Sequence, residues 1–516
     1  MLKLRINATD VAGPWVWIGH RWEAGASWIE PYHHPALEIL GPDGNSPAMV
    51  VRERWPGRDG QPHESGWPGD YLTIQPTAGA LWLAAGARGV APLYVIERGG
   101  ILHGSWNIAD LAVHLRDAPL VGREVARQLV WRFRYTHETL WDGLYWITER
   151  TEATYGPDGL RMRYPLPAAH SRPRQLHSDA DVVATYEGLL SDALAQRAYD
   201  PAKTAVELSG GVDSANVGAS LGARHPHQIA AAAMLLPASP GRQQQDRRRW
   251  MIDLFGLGSD ITIPITDHLP LSPGGRRATS APIAPYEELY DEGKTALLDL
   301  LHARGFQTVV TGVGGDELVA TTSAERPRRP AGVGDAPMPW IGKQTLDLLD
   351  ETEHEAAPAS VVNEMTLMSL ASVAPGLLRA GMWPLHPFAD PSLIRFGEWL
   401  PREWREDKHL HRARLARVGC DSYLARPPLH ENFAPVMRQG VRRYGLPYLR
   451  NMLTSGSILI DDKFIDPDGL AATIDRLAAG PYAVRDSEIY AIVTLESALR
   501  GFGSNTTRHD AMRSAG

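Results

Sequence analysis

Six consecutive residues, Ser209-Gly210-Gly211-Val212-Asp213-Ser214, have the composition of a phosphate cradle. They follow an apolar, strand-like run over 204–208 and precede a helix-compatible segment over 215–221. Glycines let the backbone approach a ligand closely, hydroxyls and amide N–H groups aim at its oxygens, and a helix N-terminus favours negative charge. Asp213 departs from a pure anion site, because a carboxylate beside a polyphosphate calls for Mg²⁺ between them. A second run, Gly312-Val313-Gly314-Gly315-Asp316-Glu317-Leu318, follows another strand-like segment over 306–311. Ligands of doubly wound α/β folds bind outside the carboxyl ends of their strands. Both runs belong at such ends, so Asp213 and Asp316 are expected to hold one Mg²⁺ from opposite sides while glycine amides hold phosphate.

The elements that must position these loops follow from pattern. Helical spacing over 180–198 leads into the strand before Ser209, 229–236 reads as a second strand, and 288–305 reads as a helix ending at Gly305. Alternating strands and helices predict a mostly parallel sheet covered on both faces. Helical segments dominate from residue 361 onward. The N-terminal third instead carries short Trp-rich segments such as Trp15-Val16-Trp17-Ile18 and Leu81-Trp82-Leu83, which suit strands of a sandwich with tryptophans packed in its core. Residues 165–174, with three prolines, break both periodicities and mark the expected boundary.

Bulk properties narrow the class. The 516 residues are 43% hydrophobic and 22% charged, ordinary globular values for a chain long enough for two cores. A net charge of −8 gives no whole-molecule attraction to nucleic acid. The single cysteine, Cys420, forms no internal disulfide and suits a reducing compartment. No run approaches the ~20 apolar residues of a membrane span. No signal peptide is evident, so a cytoplasmic location is expected.

The first loop is not the GxxxxGK[ST] of common nucleotide triphosphatases. It resembles the pyrophosphate loop of enzymes that split ATP between the α and β phosphates. With the Asp316 loop, in this order, it resembles the synthetase half of the asparagine synthetase superfamily. Pro384-Leu385-His386-Pro387-Phe388-Ala389-Asp390 resembles that family's Pro-Phe-Leu-Asp segment, and Leu400-Pro401 and Lys408-His409-Leu410-His411-Arg412 follow in family order. Upstream, Gly89-Val90-Ala91-Pro92-Leu93-Tyr94 and Glu138-Thr139-Leu140-Trp141-Asp142-Gly143-Leu144 resemble segments of its amidotransferase-like half.

The resemblance implies an α/β chain in two parts. Residues 1–170 would form a degenerate glutamine-amidotransferase-like (Ntn) sandwich. Residues 175–516 would form a doubly wound ATP-pyrophosphatase synthetase domain. ATP and pyrophosphate would contact Leu208, Ser209, Gly210, Gly211, Asp213, Ser214, Met234, Gly312, Gly314 and Gly315, with Mg²⁺ on Asp213 and Asp316. Glutamine-hydrolysing members need a cysteine exposed as the first residue, its thiol the nucleophile. Leu2 stands where that residue is expected, so the glutaminase function is expected to be absent. β-Lactam synthetases carry a tyrosine two residues before the Gly-Asp pair; Val313 stands there and counts against β-lactam formation.

Several members also use a lysine late in the chain to stabilise transition-state charge. By resemblance to Lys-Glu-x-Phe, His430 takes that place in Arg426-Pro427-Pro428-Leu429-His430-Glu431-Asn432-Phe433, with Arg426 the nearby cation. A neutral imidazole is a weaker clamp than an ammonium but can act as a base. The closest functional resemblance is to lasso peptide cyclases. These join an Asp or Glu side chain of a precursor core peptide to its own N-terminal amine, alongside a leader-peptide-binding protein and a leader protease. Holding such a conformer costs roughly 1–2 kcal/mol of backbone entropy per residue, and placement returns about 7–11 kcal/mol of barrier. A peptide-shaped cavity is expected along 365–378 and Met382-Trp383, with Glu364 a carboxylate beside it.

Two further segments draw attention. The basic run over 241–249 either places guanidinium groups near pyrophosphate or forms a solvated helix face, the commoner meaning. Residues 321–338, rich in Arg and Pro, read as a lid or an insertion. A ligase for a small metabolite would carry the same loops. A non-catalytic scaffold would lose both aspartates, and a tRNA-modifying pyrophosphatase would show a basic face and more cysteines.

Overall fold

The computed structural model describes residues 1–42, 46–57, 67–131, 134–321, 336–354, 356–429 and 431–503. It is a mixed α/β protein, antiparallel sheets first and a parallel sheet later. The N-terminal part forms a seven-stranded and a six-stranded sheet. Leu2–Asn7 shows why: Leu2, Leu4 and Ile6 are buried and Lys3, Arg5 and Asn7 are half-buried, a period of two that fits one buried face. The tryptophans divide. Trp22 is buried, but Trp17 is 40% exposed on Val16–Trp17, a two-residue strand at the end of its sheet, so core packing fails for it.

The later sheet has five strands, all parallel, in the order Asp260–Pro264, Ala230–Leu235, Thr204–Glu207, Thr308–Val310, Trp383–Leu385. Residues along these strands alternate between two cores. Ala205, Ala230, Ala232 and Val309 pack with Leu297, Leu298 and Leu301 of the helix Asp291–Ala303. Val206, Ala231 and Val310 pack with Val217, Leu221, Met251 and Phe255 of the helices Val212–Arg224 and Ala238–Phe255. Helices therefore cover both faces, the arrangement expected of a doubly wound sheet.

Helices dominate after residue 361 as expected, with one short strand among them, Trp383–Leu385, which is the outermost strand of the sheet. An edge position tolerates Pro384, which cannot donate a ladder hydrogen bond. The segment 165–174 is tied down along its length. Ala168 N donates to Ala359 O (2.7 Å), Ser171 N to Glu398 Oε2 (2.9 Å) and Arg174 N to Trp399 O (2.9 Å).

The antiparallel part abuts the parallel sheet at that edge strand. Trp383 Nε1 donates to Glu53 Oε1 (3.1 Å), Glu53 pairs with Arg88, and Arg197 pairs with Asp390 (3.4 Å). Tyr32 Oη donates to Leu378 O, and His34 Nε2 lies 2.9 Å from Gln307 O. Burial would raise the Glu53 carboxyl, but Arg88 and Arg197 outweigh it and hold it below the usual range.

Candidate functional site

Thr204–Glu207 and Thr308–Val310 are adjacent, with Val206 opposite Val310, and strand order reverses between them. A crevice opens at such a reversal, and the two glycine-rich loops leave these two strands. Ser209 and Ser214 shape the first loop. Their hydroxyls lie 3.1 Å apart, Ser214 Oγ accepts from Ser209 N, and Ser209 Oγ accepts from Gly211 N. Gln244 braces it from below: its Nε2 donates to Ser209 O (2.9 Å) and Met234 O (3.2 Å), and its Oε1 accepts from Leu236 N. Leu208 is fully buried beneath the turn.

The second loop touches the first because two of its residues lack side chains. A Cβ on Gly312 would lie 2.9 Å from Ser214 N, and one on Gly315 would lie 2.7 Å from the Asp213 carboxyl carbon. Gly314, at φ +94°, turns the chain into the helical turn that carries Asp316. Behind the loop, Thr311 Oγ1 lies 2.7 Å from His386 Nδ1; burial pushes His386 down to about 3, so its ring is neutral.

Asp213 and Asp316 are thereby brought to one place, and a third side chain joins them. Lys408 Nζ lies 2.6 Å from Asp213 Oδ2 and also pairs with Asp316. Burial alone would lower the ammonium, but the two carboxylates raise it above the usual lysine range. Sequence pattern gave Lys408 a place in a family-like run and no role. Asp407 and Lys408 both take left-handed backbone angles (φ +52° and +54°), which aspartate tolerates but lysine rarely adopts. His411, fully buried, sits 3.0 Å from Gly315 O and 2.8 Å from Tyr186 Oη, and burial holds it below its ordinary range.

Asp213 Oδ1 is buried and makes no hydrogen bond. Two carboxylates, one with such an oxygen, suit Mg²⁺ that completes its shell with phosphate oxygens and water. Among the described residues, no group of three or more His, Cys, Asp or Glu side chains could hold a metal ion.

The other anticipated residues fall in different places. The basic run is part of the helix Ala238–Phe255, and two of its guanidiniums are consumed internally. Arg247 pairs with Glu431 (2.6 Å), and Arg248 pairs with Asp260. Both arginines are fully buried, so neither is a free clamp for pyrophosphate, and the solvated-face reading fails for them too. Glu431, bonded also by Gln243 Nε2 (2.7 Å), stands 3.0 Å from the Cβ position of Gly210, directly over the first loop. Arg426 pairs with Asp407, the neighbour of Lys408, and both side chains are more than half exposed. His430 lies outside the described residues, as do 322–335 of the anticipated lid. Glu364 begins the helix Glu364–Arg379, and its Oε1 accepts from Tyr135 N (2.7 Å).

Cavities adjoin the acidic pair. One of about 660 Å³ is lined by Asp316, Glu317, Met365, Arg405 and Lys408. A second, about 410 Å³, shares Glu317 and Arg405 and reaches Phe388 and Glu398. A third, about 210 Å³, holds Glu364 and shares Asn363 with the second. Burial raises the Glu317 carboxyl, and Asp316 and Asp213 raise it further.

The sequence model of the asparagine synthase family matches residues 185–500. No curated protein matches the chain. Among solved structures, glutamine phosphoribosylpyrophosphate amidotransferase from B. subtilis, complexed with ADP and GMP, is similar at 10% identity. That similarity covers 72% of this chain and 92% of that one, with a TM-score of 0.20. A structure of the allosteric regulatory enzyme of purine biosynthesis is similar at 10% identity over 56% of this chain and 76% of that one, with a TM-score of 0.18.

Proposed function

We propose, from the premise that the chain belongs to the asparagine synthase family, that this ATP-dependent amide ligase joins a carboxylate and an amine through an acyl-adenylate. The observation that carries the reading is the meeting of Asp213 and Asp316 beside two glycine-lined loops at adjacent parallel strands. The amides of Gly210 and Gly211 and the Ser209 and Ser214 hydroxyls hold the β and γ phosphates at the N-terminus of Val212–Arg224. Asp213 and Asp316 would hold Mg²⁺, which when bound neutralises charge on the departing pyrophosphate. Lys408 then turns from the carboxylates toward phosphate oxygens. A substrate carboxylate oxygen attacks the α-phosphorus and pyrophosphate leaves. An amine next attacks the acyl carbon and AMP leaves.

The acyl and amine partners are the finer part of the proposal. We assign them to one molecule, a precursor core peptide whose Asp or Glu side chain is joined to its own N-terminal amine, as in lasso peptide cyclases. Three adjoining cavities along the Asp316 loop and the N-terminus of the helix Glu364–Arg379 support a substrate longer than an amino acid. Val313 in place of the β-lactam-forming tyrosine supports the same choice. A leader-peptide-binding protein and a leader protease would be partners, and the reaction would be cytoplasmic. His430 and Arg426 would steady transition-state charge, with Glu364 at the peptide cavity. A small-metabolite amide ligase is the alternative.

Mass spectrometry of the purified protein with ATP and a candidate core peptide tests this. Loss of one water from the peptide with release of AMP and pyrophosphate is expected. AMP formation only with a small acid and amine would move the activity to metabolites.

A further inference from the structure

We propose that His170, oriented by Glu398, takes the proton from the attacking amine in the amide-forming step. This rests on the acyl-adenylate reading above and adds the residue that completes it. Sequence pattern gives 165–174 only the role of a connector, and a connector needs no fixed path. This one is seated by backbone bonds to Ala359 and Trp399, by Ser171 N on Glu398, and by the Arg174 guanidinium 4.2 Å from the Trp399 ring centre. That seating sets His170 Nδ1 2.6 Å from Glu398 Oε1.

Glu398 is built to orient an imidazole. Its second oxygen accepts from Ser171 N (2.9 Å) and Arg395 (3.0 Å), and its side chain is only 16% exposed. Burial would raise this carboxyl, but the bonds from His170, Ser171 and Arg395 hold it below the usual range, so it stays ionised. An ionised carboxylate on Nδ1 fixes the tautomer with its proton there, leaving Nε2 basic.

The location matters as much as the pair. His170 lines both the 410 Å³ and the 210 Å³ cavities. The larger is bounded on another side by Gly314 and Glu317 of the loop that carries Asp316. An amine lodged there stands between the pair and the activation loop. Other charged groups around His170 are Glu317 and Arg405 in the larger cavity, Glu364 in the smaller, and Arg395 beside Glu398. In the step itself, the amine lone pair forms the C–N bond at the acyl carbon. The bond from that carbon to the AMP oxygen breaks and its electron pair leaves with AMP. The proton shed by nitrogen passes to Nε2, and Glu398 stabilises the imidazolium until water removes the proton.

The test separates this step from adenylation. The full chain is given ATP, Mg²⁺ and a linear peptide with an N-terminal glycine and an internal glutamate. ATP–pyrophosphate exchange, closed-ring product and, with added hydroxylamine, peptidyl hydroxamate are measured. Hydroxylamine attacks without a base, so hydroxamate reports the acyl-adenylate alone. Expected for His170→Gln and for Glu398→Gln is a roughly 100-fold loss of ring closure, with far smaller changes in exchange and hydroxamate. Glu398→Gln keeps an acceptor for Ser171 N, so the connector remains seated. Ring closure at the wild-type rate in both variants, or exchange falling in step with closure, overturns the proposal. No peptide-dependent exchange in the wild type instead overturns the peptide reading beneath it.

Discussion

Lys408 holds Asp213 at 2.6 Å while also contacting Asp316, so one ammonium pairs with two carboxylates that come from separate strand ends. Without it, two negative charges would face each other across touching loops, one of them only 18% exposed. Lys408→Met should therefore lower the stability of the nucleotide-free protein by about 1 kcal/mol. Thermal denaturation of the nucleotide-free proteins checks this: the variant should melt below the wild type, and because Lys408 also serves the phosphates, Mg²⁺ and ATP should raise the variant's Tm less than the wild type's.

Asp213→Ala and Asp316→Ala should each abolish ATP–pyrophosphate exchange while leaving the circular dichroism spectrum unchanged. Full exchange in either variant contradicts the two-aspartate site. Gly315→Ala asks the same question without removing a functional group. Its methyl would overlap the Asp213 carboxyl group, and a displacement of about 1 Å costs on the order of 100-fold in rate.

Arg247 and Glu431 form a nearly enclosed pair behind the first loop, the guanidinium 1% exposed. Removing one member of such a pair strands the other charge, at about 3–5 kcal/mol. Arg247→Met should lower the urea midpoint accordingly. Arg247→Met combined with Glu431→Gln should recover part of that loss.

Glu292 gives the stability a pH dependence. Burial pushes its carboxyl up to about 7, and its Oε2 is buried without a hydrogen-bond partner. The folded protein thus keeps this proton when the unfolded chain, at 4.5, has lost it. The contribution is fully present below pH 4.5 and disappears as pH rises through about 7, a change of up to ~3 kcal/mol. Glu292→Gln should flatten that slope in denaturation measured between pH 5 and 8.

The two loops are legible in sequence because close approach demands glycine: Gly312 packs on Ser214 N and Gly315 on the Asp213 side chain, so neither tolerates a side chain of its own, and runs such as 229–236 must be apolar when both faces are covered. Lys408 is not legible that way, since its approach to Asp213 depends on a turn at Asp407 and on a partner 195 positions away. Arg247 and Arg248 mislead for another reason. Arginine is rarely buried, so a basic run reads as surface, yet here both guanidiniums are buried and paired, Arg247 with the mostly buried Glu431 and Arg248 with the half-exposed Asp260. Trp17 misleads in the opposite sense: an apolar alternation identifies a strand without revealing that the strand is outermost.

The contact of Trp383 with Glu53 bears on modularity. The edge of a parallel sheet ordinarily invites another chain to pair with it. Here the antiparallel half packs against that edge with Tyr32, His34 and the Glu53–Arg88 pair, and Glu53 also meets Arg197 of the second half. Excising the first half would uncover that edge and leave Arg197 without Glu53 and the Trp55 ring, with Asp390 its remaining partner. The two halves are therefore not interchangeable cassettes, and grafting the ATP-using half onto another protein would require a replacement for this wall.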